Sequence, residues 1–440
     1  MMRKIGGVTA WAGVLIAALL STGCGIADSG SSAAVCPPPP ADCGAVDQNR
    51  YVYNLMKSLY FWADITPATD YTAYATPADV LSAMVYTPKD RWSFISPASA
   101  YSAIFSQGTY IGYGFGVKRG SDGVWRLYIV YPGSPAGAAG LRRGYAVTAL
   151  NGMPVTQIAA HNLWLQQFGA DEPGVQITMD YTDTAGVAGN ITLTKSVVTV
   201  PPVYDARVLD YGGTAVGYLA FTMFNETTGA GVDEALARFQ RAGIQTLVVD
   251  LRYNGGGLMN TAAYIAGRVA DYRAAGGVFS RFRHNAAHAR LNQSLRFSAT
   301  GAETYGGRVI VITTANTASA SEAFINGLKP VMEVALVGSK THGKPAGMYG
   351  CYFCGNVIAA IAFEIENARG EGGYYGGIGV TCQADDTLTV PLGDAAEGSL
   401  NAALYYAANG KCPPATAQKP PAATPVAAPL TGLRREAGAF

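Results

Sequence analysis

The chain has 440 residues, 49% of them apolar, with 31 Lys and Arg against 30 Asp and Glu and a formal net charge of +1. Only 14% of residues are charged, against about 25% in ordinary soluble domains. A near-neutral chain without a basic run has no electrostatic footprint for nucleic acid and no polybasic membrane patch, and its apolar content excludes wholesale disorder. The length is that of two or three domains.

Residues 1–24 read MMRKIGGVTAWAGVLIAALLSTGC: Arg3 and Lys4, an apolar run from Ile5 to Leu20, then the small residues Ser21, Thr22 and Gly23. This is a signal peptide pattern. The run is shorter than the roughly 20 residues of a spanning helix, so a permanent transmembrane anchor is the weaker reading. Cys24 resembles the lipidated cysteine of bacterial lipoproteins; the alternative is cleavage nearby, with Cys24 left in a leader. Export to the bacterial periplasm or cell envelope follows from either. Residues 25–46, Ser/Ala-rich and then Pro-rich, predict a flexible spacer.

Six further cysteines, Cys36, Cys43, Cys351, Cys354, Cys382 and Cys412, can pair in an oxidising compartment, with the connectivity open. Cys351 and Cys354 form a CxxC, but no second pair stands at zinc-ribbon spacing, so disulfides are preferred and no metal site is expected. Residues 413–440 are Pro/Ala-rich and predict a disordered tail.

Residues 47–62 carry Val52, Leu55, Met56, Leu59 and Tyr60 at helical spacing and open a small helical domain over 47–107, a packing element without chemistry. From 108 the texture changes to short strands and glycines: a strand, a turn, a strand, a Gly-Ser-Pro turn, a short helix around Ala136 to Ala139, a Gly140-Leu141 stop, and a strand ending at the Asn151-Gly152 turn. The segment SPAGAAGLRRG and the following Asn-Gly turn resemble a PDZ domain, here 108–199. Gly112, Tyr113, Gly114 and Phe115 are similar to that family's carboxylate-binding loop, where backbone N–H groups converge on a peptide's carboxyl end and the peptide adds as a strand. Tyr145 departs from it, standing where an Asp is usual.

Four apolar runs of strand length follow in 200–412: TAVGYLAFTMF, TLVVDLR, RVIVITT and VALVGS, with helical stretches such as GVDEALARFQRAG and SEAFINGLKP between them. Continuous apolar strands alternating with helices imply a largely parallel sheet covered on both faces, an α/β core whose chemistry belongs at the strand ends.

Three familiar signals there do not carry a function. Gly338 to Lys344 fits a phosphate loop, but Pro345 replaces the Ser/Thr that would bind magnesium, and the following AGMYGCYFCG is a poor helix, so no nucleotide is expected. His284 and His288 stand four apart without the Glu of HExxH or a third ligand, and read as a solvated basic surface. No GxSxG elbow occurs, against an α/β-hydrolase.

Thr317-Ala318-Ser319-Ala320-Ser321-Glu322 follows a core strand and precedes a helix, and Ser319 with Glu322 fits a capping box, which alone would make Ser319 an N-cap. Two other strand ends keep it company: Asp250-Leu251-Arg252-Tyr253-Asn254-Gly255-Gly256-Gly257 and Thr341-His342-Gly343-Lys344. Together these three motifs, in this order and after a PDZ-like module, resemble the carboxyl-terminal processing (tail-specific) serine proteases, related to the tricorn and retinoid-binding-protein cores, over roughly residues 50 to 410.

The resemblance implies a multi-domain α/β and β protein: a small N-terminal helical segment, a PDZ domain and a crotonase-like (ClpP/crotonase) α/β protease core. It implies a Ser/Lys dyad with Ser319 as nucleophile and Lys344 as base, no cofactor, and as partners protein or peptide substrates engaged through their carboxyl ends. Lys344 must be neutral to take a proton, which burial away from carboxylates promotes. The N–H of Ala320, with that of Gly255 or Gly256, suits the oxyanion, and Arg252 is expected to hold its loop by pairing with Asp250 or Glu322. Met348 and Pro345 depart from the family, which usually places Gln four residues after the lysine and Gly directly after it. His342 is a candidate polar substitute. The rival reading is a PDZ-bearing scaffold that binds protein tails with little or no turnover.

Overall fold

The computed structural model describes residues 35–270, 274–298 and 305–414. The signal peptide, Cys24 and nearly all of the 413–440 tail lie outside the described residues.

Helix α1 (Ala45–Ser58) buries Tyr51, Val52, Leu55 and Met56 on one face. Helix α2 (Pro77–Met84) starts at a capping box: Asp79 N–H donates to Thr76 Oγ1 at 3.2 Å, Thr76 N–H donates back to the Asp79 carboxylate at 3.1 Å, and Pro77 opens the first turn. The chain then runs into strand β1 (Phe94–Pro97) and helix α3 (Ala98–Ser102). The small helical domain expected over 47–107 is not all helix: it contributes β1, an antiparallel strand of a core sheet. The spacer reading of 25–46 is corrected in its second half, since Cys36 is bonded to Cys351 and Cys43 to Cys354. A third disulfide joins Cys382 to Cys412.

The next module comprises β2 (Thr109–Gly112), β3 (Phe115–Arg119), β4 (Trp125–Val130), α4 (Pro135–Ala138), β5 (Ala146–Leu150), β6 (Met153–Pro154), α5 (Val155–Ala160), α6 (Trp164–Phe168), β7 (Gln176–Thr182), β8 (Ala188–Thr194) and β9 (Ser196–Thr199). Its antiparallel sheet runs β3-β4-β5-β7-β8, with β6 on β5, around its own core of Phe115, Leu127, Leu150, Ile158 and Phe168. The first and last strands, β2 and β9, pair with each other, and Val200 N–H donates to Gly108 O at 2.8 Å. The chain therefore enters and leaves the module at one point.

The remaining elements are β10 (Asp205–Tyr211), β11 (Thr214–Ala220), α7 (Thr228–Arg241), β12 (Thr246–Asp250), α8 (Met259–Ala270), β13 (Val278–His284), β14 (Gln293–Arg296), β15 (Arg308–Thr313), α9 (Ala320–Leu328), β16 (Val334–Gly338), β17 (Ala346–Phe353), β18 (Asn356–Glu366), β19 (Cys382–Gln383) and α10 (Gly398–Asn409). A six-stranded sheet runs β10-β11-β12-β15-β16-β19, parallel except for β10. Alternate residues divide its faces. Tyr218, Val248, Ile310 and Val337 pack with Leu400 and Leu404 of α10, while Leu219, Leu247, Val309 and Leu336 join the core that includes α7, α8 and α9.

A second, antiparallel sheet places β18 between β1 and β17 at one end and beside β13 at the other, with β14 beyond β13. Helix α9 contacts both β13 and β18 of this sheet. AGMYGCYFCG, read as a poor helix, is β17 and the Cys354-Gly355 turn that follows it. His284 is no solvated surface group: it ends β13, is 7% exposed, and its Nε2 lies 2.9 Å from Tyr349 Oη. Its apolar strand neighbours pull it into the sheet.

Candidate active site

Three loops leave the carboxyl ends of β12, β15 and β16, the side of a parallel sheet where ligands bind. They are the sequence motifs around Asn254, Ser319 and Lys344, and hydrogen bonds lace them together. Thr317 Oγ1 donates to Leu251 O at 2.7 Å, Ala318 N–H to Asn254 O at 3.2 Å, and His342 N–H to Thr317 O at 2.9 Å.

Ser319 sits immediately before α9 with φ 57° and ψ −118°. A positive φ at a non-glycine residue costs on the order of 1–3 kcal/mol and persists only where the surroundings enforce it. Here they do. Ser319 N–H donates to Glu322 Oε2 at 3.0 Å, and Ser321 Oγ, in the first turn of the helix, donates to Asn254 Oδ1 and O at 2.9 Å.

Glu322 does more than cap. Its Oε2 also accepts from Lys344 N–H at 2.8 Å, and its Oε1 accepts from Thr341 Oγ1 at 2.6 Å and Gly343 N–H at 2.7 Å. The carboxylate is fully buried. Burial pushes its pKa up from the ordinary range, against the pull of its four donors. Ser319 is 8% and Lys344 1% exposed.

The glycine loop lies directly against the serine. A Cβ on Gly256, where φ is +118°, would stand 2.7 Å from Ser319 Cβ and 3.1 Å from Ala320 N, so only glycine allows this approach. Its own N–H is engaged, donating to Asn254 Oδ1 at 2.9 Å. The N–H groups of Gly255 and Ala320 have no hydrogen-bond acceptor among the described residues. Of the three expected oxyanion donors, these two remain available.

Arg252 is 1% exposed and pairs with Asp250 as expected, through Nη2 at 2.8 Å, but its other partners are Asp386 at 3.1 Å and Glu397 at 2.8 Å rather than Glu322. Asp386 also takes two cations of the 108–199 module, Lys118 at 2.6 Å and Arg143 at 2.7 Å, and a hydroxyl bond from Tyr253. Burial alone would raise this carboxyl, but Lys118, Arg143 and Arg252 hold it well below the usual carboxylate range. The module is thus ion-paired to the base of the glycine loop.

His342 faces the N-terminal segment. Trp92 Nε1–H donates to its Nε2 at 3.2 Å, and its Nδ1 lies 3.2 Å from Ala315 O. Met348 is buried in the apolar core on β17. In the module, Gly112, Tyr113, Gly114 and Phe115 are all buried, and Tyr113 Oη donates to Phe168 O at 3.2 Å. Phe115 opens β3, an edge strand of the module's sheet, and Tyr145 stacks on Tyr181. Among the described residues no cluster of His, Cys, Asp and Glu is arranged to hold a metal ion, and no helix is long and apolar enough to cross a membrane.

Residues 215–354 match the model of peptidase family S41, and residues 47–94 that of the peptidase S41 N-terminal domain. The chain is similar to a carboxyl-terminal-processing protease of Picosynechococcus sp., 28% identical over 50% of this chain and 51% of that one. It is also similar to a chloroplastic C-terminal processing peptidase of Tetradesmus obliquus, 25% identical over 48% and 46%. The chain spans about half the length of the curated relatives it matches. A crystal structure of a putative S41 protease from Bacteroides fragilis shares the fold with a TM-score of 0.63 at 22% identity, over 82% of this chain and 97% of that one. The photosystem II D1 C-terminal processing protease aligns with a TM-score of 0.50 at 19% identity, over 78% and 94%.

Proposed function

We propose that this chain is a member of peptidase family S41, of the carboxyl-terminal processing serine peptidases, and that it cleaves peptide bonds with a Ser319/Lys344 dyad. The observation that carries the proposal is the shared Glu322 carboxylate, which fixes the backbone at Ser319 and Lys344 from opposite sides of one loop junction. Ser319 Oγ attacks the scissile carbonyl carbon while its proton passes to neutral Lys344 Nζ. The tetrahedral oxyanion is held by the N–H groups of Ala320 and Gly255, as the C–N bond breaks and the leaving amine takes the proton from Lys344. Water, deprotonated by the same lysine, then releases the acyl group and restores Ser319.

In this reading the 108–199 module is a PDZ domain that engages the carboxyl end of protein substrates, with the Gly112–Phe115 segment at its loop and the edge of β3 for the peptide. The protein works in the periplasm or cell envelope on exported proteins, behind a signal peptide and, in the lipoprotein form, anchored at Cys24. Three disulfides support an oxidising compartment.

The test is cleavage of an unfolded protein and of a fluorogenic peptide library by the mature chain, with Ser319→Ala and Lys344→Ala beside it. Cleavage that vanishes in both variants, with circular dichroism unchanged, is the expected result. Binding of carboxyl-terminal peptides without any cleavage by the parent would replace it with the scaffold reading.

A further inference from the structure

A cavity of about 1120 Å³ opens between α2, β1 and the 108–199 module. That exceeds the roughly 300–1,000 Å³ of small-molecule sites. Its walls are largely apolar, with Leu81 and Val85 on one side, Ile95 of β1 along its length, and Leu165 of α6 and Val197 of β9 opposite. Leu165 and Val197 are 56% and 60% exposed, so two large apolar side chains on separate elements face the same groove uncovered.

One wall is the edge of a sheet. Strand β1 pairs only with β18 among the described strands, which leaves a row of its backbone N–H and C=O groups without a ladder partner. Its four residues span about 13 Å. The charged groups of the lining are already engaged. Asp90 accepts from Tyr60 Oη, Trp92 N, Ser93 N and Ser93 Oγ, Asp171 is paired with Lys195, and Arg91 donates to His342 O. What the groove offers is main chain and apolar surface, the chemistry that takes up an extended polypeptide.

One hydrogen bond links the wall of the groove to the Lys344 loop. Trp92 lines the groove and donates to His342, two residues before Lys344. We propose that an extended apolar stretch of the polypeptide substrate lies in this cavity as an added strand on the free edge of β1, with every second side chain against Leu165 and Val197. The inference rests on the peptidase reading and assigns it a subsite remote from the scissile bond.

Binding can be read without turnover in the full chain carrying Ser319→Ala. The probe is a fluorescein-labelled dodecapeptide alternating valine and threonine, followed by anisotropy. The expected result is that Leu165→Asp with Val197→Asp weakens binding at least tenfold, both positions being exposed enough for the variant to fold. N-methylation of one alternate set of peptide bonds, which removes the N–H groups that would pair with β1, weakens it likewise, while methylation of the other set does not. A photo-crosslinking residue in the peptide marks residues 94–97. No binding, an affinity indifferent to both changes, or crosslinks to β3 alone would overturn the inference. Hydrolysis of an unfolded protein by the parent, measured separately, tests the peptidase reading, so a groove that fails while hydrolysis proceeds is recognised as such.

Discussion

The backbone N–H groups of Ser319 and Lys344 converge on one atom, Glu322 Oε2, at 3.0 and 2.8 Å. Residues 25 positions apart in sequence are thereby held in register through their backbones by one carboxylate. In the proposed chemistry Glu322 is a positioning residue.

Glu322→Gln keeps the shape but replaces one acceptor oxygen with an NH₂ that confronts N–H donors. Hydrogen bonds to a buried charge are each worth about 1.5–3 kcal/mol, and stranded buried donors cost a similar amount. Stability should fall by about 3 kcal/mol or more in urea denaturation, and kcat for a peptide reporter should fall more than tenfold with KM little changed. A variant with unchanged kcat would remove the positioning role.

Gly256→Ala places a methyl against Ser319 Cβ at a backbone angle that alanine rarely adopts. The predicted outcome is loss of activity on the order of 100-fold, comparable to losing an oxyanion donor, with the folded structure kept and a Tm lowered by a few degrees. Gly255→Ala, read by the same assay, compares the two glycines.

Asp386→Asn leaves Lys118, Arg143 and Arg252 with one carboxylate fewer between the module and the glycine loop. Removing one member of a buried ion network typically costs about 3–5 kcal/mol. The pH dependence follows from its depressed folded pKa: its stabilisation is fully present above the unfolded value of about 3.9 and disappears as pH falls through the folded value. Parent stability should drop steeply below pH ~4, and the Asn variant, lower throughout, should drop less over that range.

Histidine acts at a milder pH. Burial lowers the pKa of His284 and of His288. With folded values below the unfolded value of about 6.5, the unfolded chain takes up protons first, so folding stability declines as pH falls below ~6.5. His284→Gln should flatten that decline in denaturation midpoints between pH 7 and 5; an unaltered slope would assign it elsewhere.

Each of the first two disulfides joins the N-terminal strap to the β17–β18 hairpin, which begins two residues after Lys344. Replacing Cys36 and Cys43 by Ser should lower thermal stability, at about 2–5 kcal/mol for a native disulfide. The check is a melting curve of this variant against the oxidised and reduced parent. Reduction of the parent that left its melting point unchanged would contradict the prediction.

The parallel sheet was legible because its strands are buried on both faces and their apolar runs are continuous, as in TLVVD and RVIVIT. The second sheet was not. β17 mixes glycines and cysteines, β13 carries Arg and His among its aromatics, and β1 is four residues long; each is fixed by distant partners that no local period records. The motifs of the proposed dyad could be read because a serine and a lysine stand at strand ends in the order and spacing that the family resemblance implies. The capping role of Glu322 was visible in S-x-x-E, but its bonds to Thr341, Gly343 and Lys344 are tertiary. Asp386 lies in a segment without regular structure, where only the fold reveals the three cations around it.

The strap imposes an order on biosynthesis. Cys36 and Cys43 emerge from the ribosome 315 and 311 residues ahead of their native partners, while each other is only a short loop away. The nearest thiol for each is therefore the wrong one, and Cys351 and Cys354 face the same temptation when their turn comes. The mature bonds can close only after the β17–β18 hairpin has been delivered, and any early Cys36–Cys43 bond has to be undone by thiol exchange, which makes a disulfide isomerase a natural helper in producing this protein.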